Sequence, residues 1–257
     1  MENILTFFVA WVIIIIGFVC THINRREKMY KYVIKRLIDI VLSSVAIVVL
    51  AIPMLIIAVA IKIDDPGPVL FKQKRVGKKK NGEITYFMIC KFRSMKMSTP
   101  HDTPTHLLEN PEQYITRVGR FVRKTSLDEL PQIYQVFTSK LSAIGPRPAL
   151  WSQDDLIAER EKYGANDIKP GITGWAQING RDELDIDVKA KYDGEYAAAL
   201  NEGKFKGFIM DVKCFFYTIV SVLKSDGVIE GGTGKLKKQN NMKSESVSER
   251  SSGFLGI

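Results

Sequence analysis

A chain of 257 residues with 37 Lys+Arg against 28 Asp+Glu (net charge +9) is long enough to bury a core. At 46% hydrophobic it is too apolar to be disordered throughout. Cys20, Cys90 and Cys214 are scattered without a CxxC, and His22, His101 and His106 lie near no cysteine pair, which excludes a disulfide-stapled module and a zinc site. The mean hydropathy of −0.02 conceals two apolar runs flanked by much of the basic excess.

Residues 4–23 carry no formal charge and, at about 1.5 Å rise per residue, match a hydrocarbon core about 30 Å thick. A cleaved signal peptide needs a basic leader and a small-residue cleavage site. Here Met1-Glu2-Asn3 precedes the run, and Arg25 and Arg26 follow its bulky end. Residues 1–24 are therefore expected to be a transmembrane anchor with its basic end in the cytoplasm.

Residues 40–61 are also uncharged, but six Lys or Arg residues lie just before them (Arg25 to Arg36) and seven after (Lys62 to Lys80). The positive-inside rule then wants both ends on the cytoplasmic face, which a straight crossing cannot satisfy. Pro53, near the centre, removes an N–H and crowds the preceding turn. Residues 25–62 are expected to form a basic segment and a re-entrant helix broken at Pro53. The rival is a second crossing with a mild proline kink.

Residues 63–232 read as one domain. Asp64-Asp65-Pro66-Gly67-Pro68 is a turn whose carboxylates serve as caps more readily than as metal ligands. Residues 69–71 and 85–89 look like strands around a basic hairpin, 98–111 like a loop, and 121–137 and 149–163 like helices. Phe208, Val212, Phe215, Phe216, Ile219, Val220 and Leu223 form an apolar stripe at helical spacing. Such a stripe packs on the core, its commoner use, or lies in the membrane interface. Residues 233–257 form a polar tail expected to be disordered.

Chemistry concentrates in four motifs. Ser126 and Glu129 have capping-box spacing, with Asp128 in the first turn beside Arg117, Arg120, Arg123 and Lys124, although Pro131 falls awkwardly one turn in. A carboxylate pair in a basic surface suits a reaction on phosphates; alone, the pattern is an ordinary helix cap. In Gly145-Pro146-Arg147-Pro148 two prolines hold one arginine extended, as a preset phosphate ligand or a rigid turn. Lys91 and Arg93 present two cations on one face of an extended stretch. The Gly-rich 169–181, ending at Arg181, either cradles a phosphate or ribose or simply turns. Asp182, Glu183, Asp185 and Asp187 read as a solvated acidic face.

Taken in order, KRLID (35–39), GPVLFKQKRVG (67–77), KFRSM (91–95), TSLDELPQ (125–132), GPRP (145–148) and KPGITGWAQINGR (169–181) closely resemble the bacterial sugar transferases, the monotopic polyprenyl-phosphate phosphoglycosyltransferases. The resemblance covers about residues 30 to 225. It implies a membrane-associated α/β protein, mainly α with a small β-hairpin and a re-entrant proline-broken helix. The implied reaction moves a sugar 1-phosphate from a UDP-sugar to polyprenyl (undecaprenyl) phosphate, releasing UMP, on the cytoplasmic side of a bacterial inner membrane. Such a reaction opens the assembly of an exopolysaccharide, capsule, O-antigen or glycoprotein glycan. By motif matching, Asp128 falls on the nucleophile, which forms a covalent phosphosugar intermediate. Glu129 falls on its acidic partner, and Mg2+ is expected at Glu129 and Asp128. Lys91, Arg93, Arg123, Arg147, Arg181 and Asp211 fall on phosphate- or substrate-binding positions. Two residues depart from the family pattern: Lys140, where an acid is common, and Asp182, where Asn is usual. They bear on sugar choice, which stays open among glucose, galactose and N-acetylhexosamines.

Two other classes compete with this reading. The +9 charge suggests nucleic acid, but no nucleic-acid motif is present and aromatics are not interleaved with the basic runs. A non-catalytic membrane scaffold of a glycan assembly complex is the remaining alternative, against which the intact Asp128-Glu129 pair argues. Membrane lipids are expected partners, and homo-oligomerisation is left open.

Overall fold

The computed structural model describes residues 29–99, 110–180, 184–203 and 205–223. The expected anchor (1–24), the tail (233–257), and Arg181, Asp182 and Glu183 lie outside the described residues.

A wide helical turn at Tyr30–Ile34 leads into α1 (Lys35–Asp64), 30 residues long. This is the one helix among the described residues that is long and apolar enough to cross a membrane. Its middle is bare: Val48 is 77% exposed and Ile52 71%, with Val49, Leu55 and Ile56 also outward. Side chains of this kind need an apolar medium. The break expected at Pro53 is absent, because the helix runs through it. Proline deletes a single backbone donor, and the turns on either side keep theirs. Ser43 and Ser44 bond back onto the carbonyls of Asp39 and Ile40 (2.6 and 2.7 Å).

Both ends of α1 are held by the same body. At its start Arg36 donates to the carbonyls of Val136 (2.7 Å) and Phe137 (2.6 Å). At its end Met54, Ile57 and Ile61 pack with Phe92 and Val122, and Asp64 Oδ2 accepts the Val118 N–H at 2.9 Å. The Asp64 and Asp65 carboxylates thus accept from groups remote in sequence, Val118 for Asp64 and Arg93 and the Met97 N–H for Asp65, rather than capping their own turn.

Strands β1 (Leu70–Val76) and β2 (Tyr86–Phe92) pair antiparallel from Leu70 opposite Phe92 to Val76 opposite Tyr86, longer than the sequence suggested. The helix expected over 121–137 is divided. Helix α2 (Arg117–Lys124) is capped by Thr116 Oγ1 on the Gly119 N–H (2.9 Å). A single tight turn at Leu127–Glu129 follows, and then α3 (Gln132–Phe137). Next comes β3 (Ser142–Ile144). The helix expected over 149–163 shrinks to α4 (Asp154–Glu161), because Ala149 and Leu150 pair with the end of β1 and a turn at 151–152 precedes the helix. Strand β4 (Gly171–Thr173) pairs parallel with β3, a contact that three-residue strands do not announce in sequence. Helices α5 (Trp175–Ile178), α6 (Ile186–Glu202) and α7 (Lys206–Leu223) complete the described chain. The whole is mainly helical with small sheets, as expected.

Of the two uses open to the C-terminal apolar stripe, core packing is not the one observed. Helix α7 turns Gly207, Asp211 and Cys214 inward, while Phe208, Phe215, Phe216, Ile219 and Val220 are exposed. Small and polar residues let α7 approach Tyr196, Ala197 and Leu200 of α6, so the bulky residues face away.

Candidate active site

The Asp128-Glu129 pair does not form a capping box. Ser126 adopts a left-handed conformation (φ 57°) and its side chain makes no cap bond. A tight turn carries the two acids, and Pro131 falls just ahead of α3, where its missing N–H costs little. This resolves the awkward proline. The turn buries Asp128 and releases the Glu129 side chain to reach across the fold.

Two distant cations meet Glu129. Lys91 Nζ, near the end of β2, donates to Glu129 Oε1 at 2.9 Å. Arg147 Nη2, from the proline-bracketed loop after β3, donates to the same oxygen at 2.8 Å. Burial pushes the Glu129 carboxyl up; Arg147 and Lys91 outweigh it and hold the group well below the usual carboxylate range. The result is an ionised carboxylate beside a second, buried one, in a cationic setting.

The loop that carries Arg147 is fixed by close backbone contacts. The Gly145 N–H donates to the Thr173 carbonyl (2.7 Å) and the Gly171 N–H to the Pro146 carbonyl (2.9 Å). A Cβ on Gly171 would stand 2.2 Å from the Gly145 nitrogen, and one on Gly174 would stand 2.1 Å from the Gly145 oxygen. Packing against 145–148 therefore accounts for these glycines of the 169–181 motif.

The other sequence candidates separate. Arg123 is half-buried in the last turn of α2, three residues before Ser126. Arg93 does not share a site with Lys91; it donates to Asp65 Oδ2 (2.5 Å) and ties the end of β2 to the end of α1. Asp211 sits in a buried cluster, accepting from Lys35 Nζ (2.7 Å), Tyr30 OH (2.5 Å) and Tyr196 OH (2.7 Å). Those bonds join α1, α6 and α7, and none involves Lys91, Glu129 or Arg147. Pro53 lies inside α1. Sequence reading missed Gln135, whose amide donates to the Met88 carbonyl (2.7 Å) and accepts the Cys90 N–H (2.9 Å), so α3 braces the strand bearing Lys91. It also missed Arg75, which donates to the Pro148 carbonyl at 3.2 Å. Neither carries a local signal, because each works through a residue far away in sequence.

Among the described residues no group of three or more His, Cys, Asp or Glu could cage a metal. Magnesium, which takes water and substrate phosphates alongside one or two carboxylates, needs no such cage.

The model of the bacterial sugar transferase family matches residues 30–225. The chain belongs to that family. It is 39% identical to the UDP-glucose:undecaprenyl-phosphate glucose-1-phosphate transferase of Escherichia coli over 176 residues, 63% of this chain and 36% of that protein. It is 34% identical to an uncharacterized sugar transferase, EpsL, of Bacillus subtilis, over 76% of this chain and 90% of that protein. It is 33% identical to the undecaprenyl-phosphate galactose phosphotransferase of Salmonella typhimurium, over 79% of this chain and 43% of that protein. The chain spans about a third of the length of the Escherichia coli relative and of several other curated relatives that it matches. The matched region runs from the turn before α1 to the end of α7, and so contains Lys91, Asp128, Glu129 and Arg147.

Proposed function

We propose that this chain moves a sugar 1-phosphate from a UDP-sugar to undecaprenyl phosphate, releasing UMP, as an early membrane step of polysaccharide assembly. The observation that carries the reading is the meeting of Lys91 and Arg147 on Glu129, next to buried Asp128. The activities of the Escherichia coli and Salmonella typhimurium relatives support it.

In this reading the Asp128 carboxylate attacks the sugar-bearing phosphorus of the UDP-sugar. The P–O bond to UMP breaks, and an aspartyl-phosphosugar forms. A phosphate oxygen of undecaprenyl phosphate then attacks the same phosphorus and restores the carboxylate, so one hard transfer becomes two easier ones. Arg147, held extended by its prolines, and Lys91 supply positive charge where the diphosphate charge shifts. Glu129 and Asp128 would hold magnesium, which when bound neutralises diphosphate charge.

In this reading α1, both of whose ends attach to one body, enters and leaves the same leaflet, its axis bent at Pro53 although the helix is not interrupted there, with the domain on the cytoplasmic side. The basic residues flanking it attract anionic headgroups at about 1 kcal/mol each. The exposed stripe of α7 lies in the interface beside it. This arrangement brings the dyad to the depth at which a long lipid presents its phosphate.

The test is UMP release from UDP-glucose, UDP-galactose and UDP-N-acetylglucosamine, with and without undecaprenyl phosphate. Lipid-dependent turnover of at least one donor is expected. No UMP from any donor, by protein shown to be folded in nanodiscs, contradicts the proposal.

A further inference from the structure

Four consecutive carbonyls of the Arg147 loop are each held by a different residue or group. The Pro146 carbonyl accepts the Gly171 N–H (2.9 Å) and the Ala149 carbonyl the Val76 N–H (3.0 Å). The Pro148 carbonyl accepts from Arg75 (3.2 Å), and the carbonyl of Arg147 itself accepts from Arg160 Nη2 at 2.9 Å.

Arg160, on α4, is only 4% exposed. Its Nε and Nη2 both reach Asp193 Oδ2 on α6 (2.8 and 2.6 Å), and Asp193 is 1% exposed. A buried ion pair does little for net stability, because desolvation offsets much of the attraction. This pair also has a directed use. Asp193 fixes the guanidinium fork, and the fork addresses the backbone of Arg147, one of the two residues whose side chains reach Glu129. Lysine cannot reproduce that grip, since a single ammonium lacks the planar fork.

We propose that the Arg160–Asp193 pair is a positioning device for Arg147: through the Arg147 carbonyl it sets where that guanidinium meets Glu129 and the substrate phosphates. The proposal rests on the transferase reading above, in which Arg147 serves the reaction. Neither residue touches Glu129; both act through Arg147.

The experiment is a double-mutant cycle read by UMP release in nanodiscs, using whichever of UDP-glucose, UDP-galactose or UDP-N-acetylglucosamine turns over fastest. In otherwise wild-type protein, Arg160→Lys should lower kcat by about tenfold to a hundredfold, the scale on which small misplacements act, with KM for the donor nearly unchanged. In an Arg147→Gln background the same change should cost less than about twofold, since the residue it positions is gone. Asp193→Asn, which keeps the side-chain volume and an acceptor oxygen, should repeat the pattern. Equal losses in both backgrounds overturn the proposal, and so do losses that follow a lowered melting temperature in both variants. Full activity in Arg147→Gln alone removes Arg147 from the reaction, a result distinct from either of those.

Discussion

Asp39, on the apolar helix α1, accepts the Ser142 hydroxyl at 2.8 Å and the Ala143 N–H at 2.9 Å. Ser142 and Ala143 begin β3, and β3 leads within five residues to Arg147. The membrane helix and the loop that grips Glu129 are thereby joined through one buried carboxylate. Asp39→Ala strands both donors and should destabilise the protein by about 1–3 kcal/mol. Thermal unfolding in nanodiscs measures this, together with a fall in UMP release. A melting temperature equal to wild type would show that the link is dispensable.

Glu129 gives a pH signature. Its folded value is depressed below the roughly 4.3 of a free glutamate, so its ionised form stabilises the fold above that pH. That contribution is lost only as the pH falls through the depressed value. Removing Arg147 or Lys91 leaves burial less opposed and raises the Glu129 carboxyl. Lys91→Gln should therefore move the acid limb of kcat/KM upward, so activity at pH 5 relative to pH 7.5 drops more than in wild type. A pH profile from 4.5 to 8 reads the difference directly; superimposable limbs contradict the coupling.

Asp211 should behave as a structural residue. Asp211→Ala leaves Lys35 buried without its counter-charge, which costs about 3–5 kcal/mol. Yield and melting temperature should fall, while the donor KM of whatever protein folds stays within about twofold. A raised KM with unchanged stability would return Asp211 to the substrate site.

The attachment of both ends of α1 to one body predicts its topology. Lys31→Cys and Lys62→Cys, each in a chain with Cys20, Cys90 and Cys214 changed to Ser, should both react with an impermeant maleimide from the cytoplasmic face. Reaction of the two from opposite faces shows a full crossing instead.

The length and apolarity of α1, the β1–β2 hairpin and the acids at 128 and 129 are legible in the sequence because each is a local pattern. Both flanks of residues 40–61 are basic, and Arg36 and Asp64 each contact the body that contains α2 and α3; the maleimide experiment decides whether those two ends share a membrane face. The failures share a cause. Ser126 and Glu129 have capping-box spacing, but Lys91 and Arg147 compete for the Glu129 carboxylate and win, so the turn tightens and the helix starts later. Lys91 and Arg93 alternate on an extended stretch as phosphate ligands would, yet Asp65 takes Arg93. Gly171 and Gly174 of the 169–181 stretch stand too close to Gly145 to carry a Cβ, a packing demand that their own spacing does not reveal. In each case the deciding partner lies at least eighteen residues away, beyond the reach of spacing rules.

The most direct test omits the lipid acceptor. Protein mixed with a UDP-sugar carrying a radiolabelled sugar-side phosphate should release UMP limited to about one equivalent and keep the label on Asp128, where peptide mapping finds it. Asp128→Asn should abolish both the burst and the label. UMP release by Asp128→Asn at the wild-type rate, or label mapped to another residue, contradicts the assignment of Asp128 as nucleophile.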